Sequence, residues 1–280
     1  MASASPLDAE IVQVAEKLPT APRLLVELNH LMHDPKVEAD EVVALLRQDP
    51  PLVAQIIRMA NSAAYAPREP IGSLERAVAQ VGFAEAHRLV GIVAAAQLAE
   101  TRLSLYPLDP GKLRINALLV ALVMEELAKW THERPHSCYT VGLLRTIGMM
   151  ALDRVPPAGA AAVPFRESGE TALDVWEQKT WGVTNGEVAE KILLHWRLPG
   201  ETALAIRHHY HPGNRHNPII HMLILAAATA AELKHGIPGE EPYWRLTSEN
   251  FERAGLAPAC FPSVRQRALR KFEHLRIVVA

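Results

Sequence analysis

The apolar residues of this 280-residue chain recur with a helical period almost from end to end, which constrains its architecture more than any single motif. Across residues 23–33, Leu24, Leu25, Leu28, Leu31 and Met32 share one face of a 3.6-residue turn. Val42, Val43, Leu45 and Leu46 follow Asp40, which reads as an N-cap. Leu52, Val53, Ile56, Ile57 and Ala60 repeat the stripe after Pro50-Pro51, and proline suits a first helical turn. Further helices are predicted over residues 74–81, 84–100, 113–130, 137–152, 186–196, 201–210, 218–235 and 262–275. No segment alternates with period 2, and only 5% of residues are aromatic. The chain is therefore predicted to be all-α.

The turn-rich segment Tyr106-Pro107-Leu108-Asp109-Pro110-Gly111 divides the pattern. It predicts a two-lobed domain, with a bundle of short helices over residues 7–109 and a lobe of longer helices over 111–280. A second loop, 155–169, holds three prolines and two glycines. Charged residues make up 21% of the chain and the formal net charge is −2, which excludes a disordered polyelectrolyte and a basic nucleic-acid coat. Cys138 and Cys260 form no Cys-x-x-Cys pair, so a reducing compartment is the economical reading. The longest apolar run, 219–233, contains His221 and Glu232 and is shorter than the ~20 residues a bilayer requires. The start has no basic, then apolar, secretory pattern. These features predict a soluble cytoplasmic protein with no membrane partner.

The chemically suggestive stretch is His208-His209-Tyr210-His211, with His195, His216 and His221 nearby. Neutral imidazoles bind transition metals, but adjacent residues on a helix point about 100° apart. No Asp or Glu lies between Glu201 and Glu232 to complete a site. Histidines also suit the negative end of a helix, and a helix-end role is the stronger reading. There is no nucleophile elbow, phosphate-cradling loop, dinucleotide turn or His-Glu-x-x-His helix. No catalytic residue, resident metal or cofactor is therefore expected. Near the C-terminus Arg265, Arg267, Arg270, Lys271 and Arg276 face only Glu273, whereas residues 1–50 hold nine acidic and four basic side chains. This asymmetry either orients a partner or is an ordinary solvated face. The apolar stripe of Leu269, Phe272 and Leu275 belongs to a core or a homodimer contact. Without interleaved aromatic residues, the basic segment gives little support to nucleic-acid binding.

The order of several short blocks is more informative than any one of them. Leu18-Pro19-Thr20-Ala21-Pro22, Gln48-Asp49-Pro50-Pro51-Leu52, Asn61-Ser62-Ala63-Ala64-Tyr65 and Pro70-Ile71-Gly72-Ser73-Leu74 occur in succession. Gly142-Leu143-Leu144, Ile147-Gly148, Trp196-Arg197-Leu198-Pro199 and Ala205-Ile206-Arg207-His208-His209 follow. Over about residues 10–235 this succession resembles the HDOD family, a branch of the HD phosphohydrolase superfamily found in bacterial signalling proteins. The resemblance implies a first half of short helices and an HD-like second half.

Catalytic HD proteins hold divalent metal with a His, a His-Asp pair and a later Asp. On that pattern Asn116 stands at the first His, Arg145-Thr146 at the doublet, and residues 226–229, without Asp, at the later acid. Asn185 stands where some relatives carry another His. Arginine has no lone pair and repels a cation, so the pattern implies a dismantled metal site and no enzyme. Asn116, Arg145, Thr146, Asn185, His208 and His209 then line either an anion pocket, for instance for a nucleotide, or a site closed by an Arg145 ion pair with Glu125 or Asp153. Asn61 and Ser62 either satisfy a helix end or, with Tyr65, contact a partner.

The resemblance implies a non-enzymatic signalling module acting through protein contacts. Its expected partners are a sensor kinase, a response regulator or a cyclic-di-GMP enzyme on a separate polypeptide. The competing readings are a metal-dependent phosphohydrolase using relocated histidines and a sensor of an anionic nucleotide near Arg145.

Overall fold

Helix-forming segments become a site here because three of them end or bend at one place. The computed structural model describes residues 6–63, 65–100, 102–157, 163–166 and 171–279. The side chains of Pro6 and of residues 275–279, including Leu275 and Arg276, lie outside that description, as do Ala64 and much of the 155–169 loop. Before the 106–111 turn come α1 (Pro6–Lys17), α2 (Thr20–Leu31), α3 (Ala39–Leu46), α4 (Pro50–Ala60), α5 (Leu74–Val81) and α6 (Phe83–Leu98). After the turn come α7 (Pro110–Ala128), α8 (Pro135–Leu144), α9 (Ile147–Leu152), α10 (Leu173–Trp181) and α11 (Asn185–His195). The chain continues through α12 (Gly200–His208), α13 (Pro218–Glu232), α14 (Ser248–Arg253) and α15 (Phe261–Val279). There is no strand among the described residues, and the fold is all-α.

Local chemistry explains most of the boundaries. Asp49 accepts from the Leu52 N–H at 2.9 Å and caps α4, with proline in the first turn. Asp109 caps α7 and Thr184 caps α11 in the same way, the latter with Glu187 closing a capping box. On α2, Leu24, Leu25 and Leu28 are fully buried, as the stripe requires. Asp40 is not a cap: α3 starts one residue before it, and Glu41 accepts from the Glu38 N–H at 3.0 Å.

The expected helix over 137–152 is two helices. At Thr146 the backbone (φ −95°, ψ 6°) leaves the helical path, and α9 sets off in a new direction against α11. Two glycines permit the bend. A Cβ on Gly142 would meet the Ala121 backbone of α7 at 2.7 Å, and one on Gly148 would meet the Asn185 carbonyl at 1.9 Å. Three helices are not among those predicted from the sequence: α1, α10 and α14. Of these α10 matters most, because its buried residues are Leu173, Asp174, Glu177 and Trp181, two of them acids.

Packing crosses the 106–111 turn several times. The first helix, α1, lies on α9 and α11, and α2 and α6 lie on α8; beyond the turn, α15 packs on α7. Gly148→Ala forces a methyl into the α11 backbone and should cost about 3 kcal/mol. Gly72→Ala, with nothing within 4 Å of the added atom, should stay within about 0.5 kcal/mol. Urea unfolding of the two variants, followed by circular dichroism, checks both values.

Candidate functional site

The bend between α8 and α9 points Arg145 into the centre of the second lobe, where only 1% of its surface meets solvent. Its Nη1 donates to Glu240 Oε1 at 2.6 Å, and its Nη2 to Asn116 Oδ1 at 2.9 Å. The Trp244 ring lies 5.5 Å from the guanidinium carbon, close enough for a cation–π contact. Burial opposes the positive charge, the Glu240 carboxylate more than restores it, and the group stays protonated. Glu240 is itself fully buried, in the turn between α13 and α14.

Each neighbour has a defined orientation. Asn116, from α7, donates through Nδ2 to the His235 carbonyl at 2.6 Å, which directs Oδ1 at Arg145. His209, just past α12, contacts the Ile206 carbonyl through Nδ1 at 2.5 Å. That partner demands a proton on Nδ1, so Nε2 turns a lone pair to Arg145 Nη1 at 3.4 Å. Burial, then the Arg145 charge, holds the imidazole well below its usual range, so it is neutral. The Tyr210 hydroxyl donates to Glu240 Oε1 at 2.5 Å and receives Asn185 Nδ2 at 3.2 Å.

A second buried acid adjoins this pair. Glu177, from α10, accepts from the Asn185 backbone N–H at 2.7 Å and from Asn185 Nδ2 at 2.9 and 2.8 Å. The Tyr106 hydroxyl completes its set at 2.8 Å. Complete burial pushes Glu177 up to about 8, outweighing the pull of these donors. Tyr106 comes from the turn between the lobes, so that turn is part of the network.

The structure therefore brings together Asn116, Arg145, Asn185 and His209 of the six expected pocket residues. Thr146 is buried at the bend but takes no part in the hydrogen bonds described, and its backbone is what serves the site. His208 lies on another face, half-buried and near Arg207 and Arg215. The expected ion-pair partners of Arg145 are both engaged elsewhere. Glu125 binds Arg88 at 2.8 Å and Lys271 at 2.6 Å, whereas Asp153 accepts the Ser104 and Leu105 N–H groups at 2.9 and 2.7 Å. The histidine-rich stretch also has acids after all, supplied by other segments: His211 Nε2 lies 2.6 Å from Asp174. In residues 226–229, Thr229 donates within its own helix to the Leu225 carbonyl at 2.8 Å.

These residues do not fit the divalent metal of an HD site. A fixed guanidinium occupies the centre, and the acceptors around it, Glu240 Oε1, Asn116 Oδ1 and His209 Nε2, all point at it. Among the described residues no three His, Cys, Asp or Glu side chains converge as a metal site. Asn61 proves to be a clamp: its Oδ1 accepts the Ile71 N–H and its Nδ2 donates to the Ile71 carbonyl, both at 2.8 Å. It also reaches the Ile57 carbonyl at 2.9 Å, tying the end of α4 to the approach to α5. Ser62 Oγ is buried with no partner among the described atoms, and Tyr65 donates to Glu85.

The HDOD domain model matches residues 18–212, about two thirds of the chain. This chain belongs to the HDOD family. A crystal structure from Shewanella amazonensis SB2B, provisionally named a phosphohydrolase, is 22% identical with a TM-score of 0.67, covering 96% of this chain and 97% of that one. An HDOD domain protein of unknown function from Geobacter sulfurreducens is also 22% identical, at a TM-score of 0.63, covering 98% and 93%. A provisionally named signal transduction protein from Marinobacter aquaeolei VT8 is 20% identical at 0.67, covering 94% and 59%. A curated but uncharacterised protein of Treponema pallidum (strain Nichols) is 24% identical over 246 residues. That match takes in 86% of this HDOD chain but 46% of the relative, so the chain spans about half its length.

Two measurements probe the buried network. Arg145→Met strands the Glu240 carboxylate and Glu240→Leu strands the guanidinium, so each should cost about 3–5 kcal/mol, and the double variant much less than their sum. Chemical denaturation of the three variants gives the coupling directly. The Glu177 carboxyl is raised from 4.5 to about 8, so the folded chain keeps a proton that the unfolded chain has lost. Its contribution to stability is complete below 4.5 and fades as pH rises through about 8. Glu177→Gln should flatten that decline in a melting-temperature series across the window.

Proposed function

We propose that this HDOD chain is a non-enzymatic signalling module that acts through protein contacts. The observation that carries the reading is the buried Arg145–Glu240 pair, at 2.6 Å, at the residue that the family resemblance sets on the HD metal doublet. Metal catalysis needs ligand lone pairs, an open coordination position and a path for substrate. A guanidinium offers no lone pair, and here its charge is already neutralised. A buried ion pair contributes modestly to stability at best, but breaking it is costly, so the lobe holds one arrangement firmly. That is a useful property for a scaffold whose output is a surface.

The proposed partners are a sensor kinase, a response regulator or a cyclic-di-GMP enzyme, met in the cytoplasm. Among the described residues no helix is long and apolar enough to cross a membrane. The reading is tested on purified full-length chain supplied in turn with Mg2+, Mn2+, Fe2+ and Zn2+. The expected result is far less than one bound ion per chain by mass spectrometry, and no hydrolysis of a nitrophenyl phosphodiester or a cyclic dinucleotide above buffer. Stoichiometric metal together with turnover lost in His209→Ala would sink the proposal.

A further inference from the structure

The Arg145 site has no spare charge for an anion, because Glu240 already balances it. A separate cleft of about 560 Å3 lies between the helices of the first half of the chain and α15. Its walls include Tyr65 from the turn after α4, Gln80 from α5, Arg88 from α6, and Arg270, Lys271 and His274 from α15. The size falls within the roughly 300–1,000 Å3 of small-molecule sites.

The electrostatics of the cleft follow from the pairs. Glu85, the one carboxylate on its wall, is engaged by Arg88 and by the Tyr65 hydroxyl. Arg88 also binds Glu125 at 2.8 Å, and Lys271 binds Glu125 and Glu126 at 2.6 Å each. These contacts hold Arg88 and Lys271 in fixed positions behind the cleft. Arg88 Nε remains buried with no partner among the described atoms. Arg270 and His274 are exposed at the rim, and neither has an ion-pair partner among the described residues. The His274 ring meets Tyr65 edge to face at 6.0 Å, which limits its freedom. The cleft thus offers two rim donors without ion-pair partners among the described residues, in front of a charge-balanced interior where Arg88 and Lys271 are offset by Glu85, Glu125 and Glu126. Two such donors suit a compact anion with several acceptor oxygens.

We propose that this cleft binds a phosphate-bearing small molecule, with Arg270 and His274 gripping the phosphate at its mouth. Such a ligand joins the Asn61–Tyr65 turn and α6 to the C-terminal helix. It therefore gives the module an input, whether or not the partner-contact reading holds, and binding is measured without any partner present.

Isothermal titration of the full chain with pyrophosphate and, separately, with ADP tests the site. Saturable one-to-one binding is expected, weakening as sodium chloride screens the charges. Arg270→Ala combined with His274→Ala should weaken it about tenfold or more. Arg267→Ala, an exposed residue of α15 outside the cleft, should leave it within about twofold. ADP binding much tighter than pyrophosphate identifies a nucleotide as the ligand class, and equal affinities identify the phosphate alone. No saturable heat at millimolar concentration, binding that survives the double variant, or equal loss in Arg267→Ala would overturn the proposal.

Discussion

A buried guanidinium that must be neutralised organises the second lobe. Arg145 reaches its position because the chain bends between α8 and α9, and once there it needs an anion and acceptors within hydrogen-bond distance. Glu240 supplies the charge, Asn116 and His209 supply acceptors, and Trp244 covers a face. Asn116, His209 and Glu240 have their own anchors, at the His235 carbonyl, the Ile206 carbonyl and the Tyr210 hydroxyl, and Trp244 Nε1 donates to Glu240 Oε2 at 3.2 Å. The result ties α7, the α8–α9 bend, the end of α12 and the turn after α13 together through one side chain.

The same arithmetic of charge bears on metal binding at this site. A metal site places cationic charge at a centre ringed by lone pairs; here a covalently attached cation fills the centre and the lone pairs already serve it. His209 is neutral, as a metal ligand must be, but its free nitrogen faces a donor. The solved relatives share the fold at 20–22% identity, and at that distance they speak for architecture, not chemistry. The functional argument therefore rests on this chain's own side chains.

A second polar seam, running Tyr65–Glu85–Arg88–Glu125–Lys271, links the family-pattern turn to the last helix. It alternates acid and base, so the charges of its interior members are paired while Arg270 and His274, at its outer edge, face solvent. Glu125 sits in the middle, which explains why it is not the partner of Arg145. The two networks are both electrostatic, but one is closed on itself and the other has an open rim.

The sequence by itself determined the all-helical class, because apolar spacing reports directly which residues a helix must bury; Leu24, Leu25 and Leu28 are an example. The family resemblance sets Arg145-Thr146 at the metal-type doublet, and that neither residue is His or Asp is a matter of residue identity alone. Asn116, Asn185 and His209 were legible through the family pattern for the same reason. Only the tertiary structure decided what Arg145 pairs with, since Glu240 lies 95 positions away in a turn that carries no periodic signal. The acids of α10 were hidden for a related cause: Asp174 and Glu177 occupy the buried face, so the helix that carries them shows no apolar stripe. Charge pairing over long sequence separation depends on where the backbone places two side chains, and the bend at Thr146, permitted by Gly148 against Asn185, is a packing decision that linear spacing does not encode.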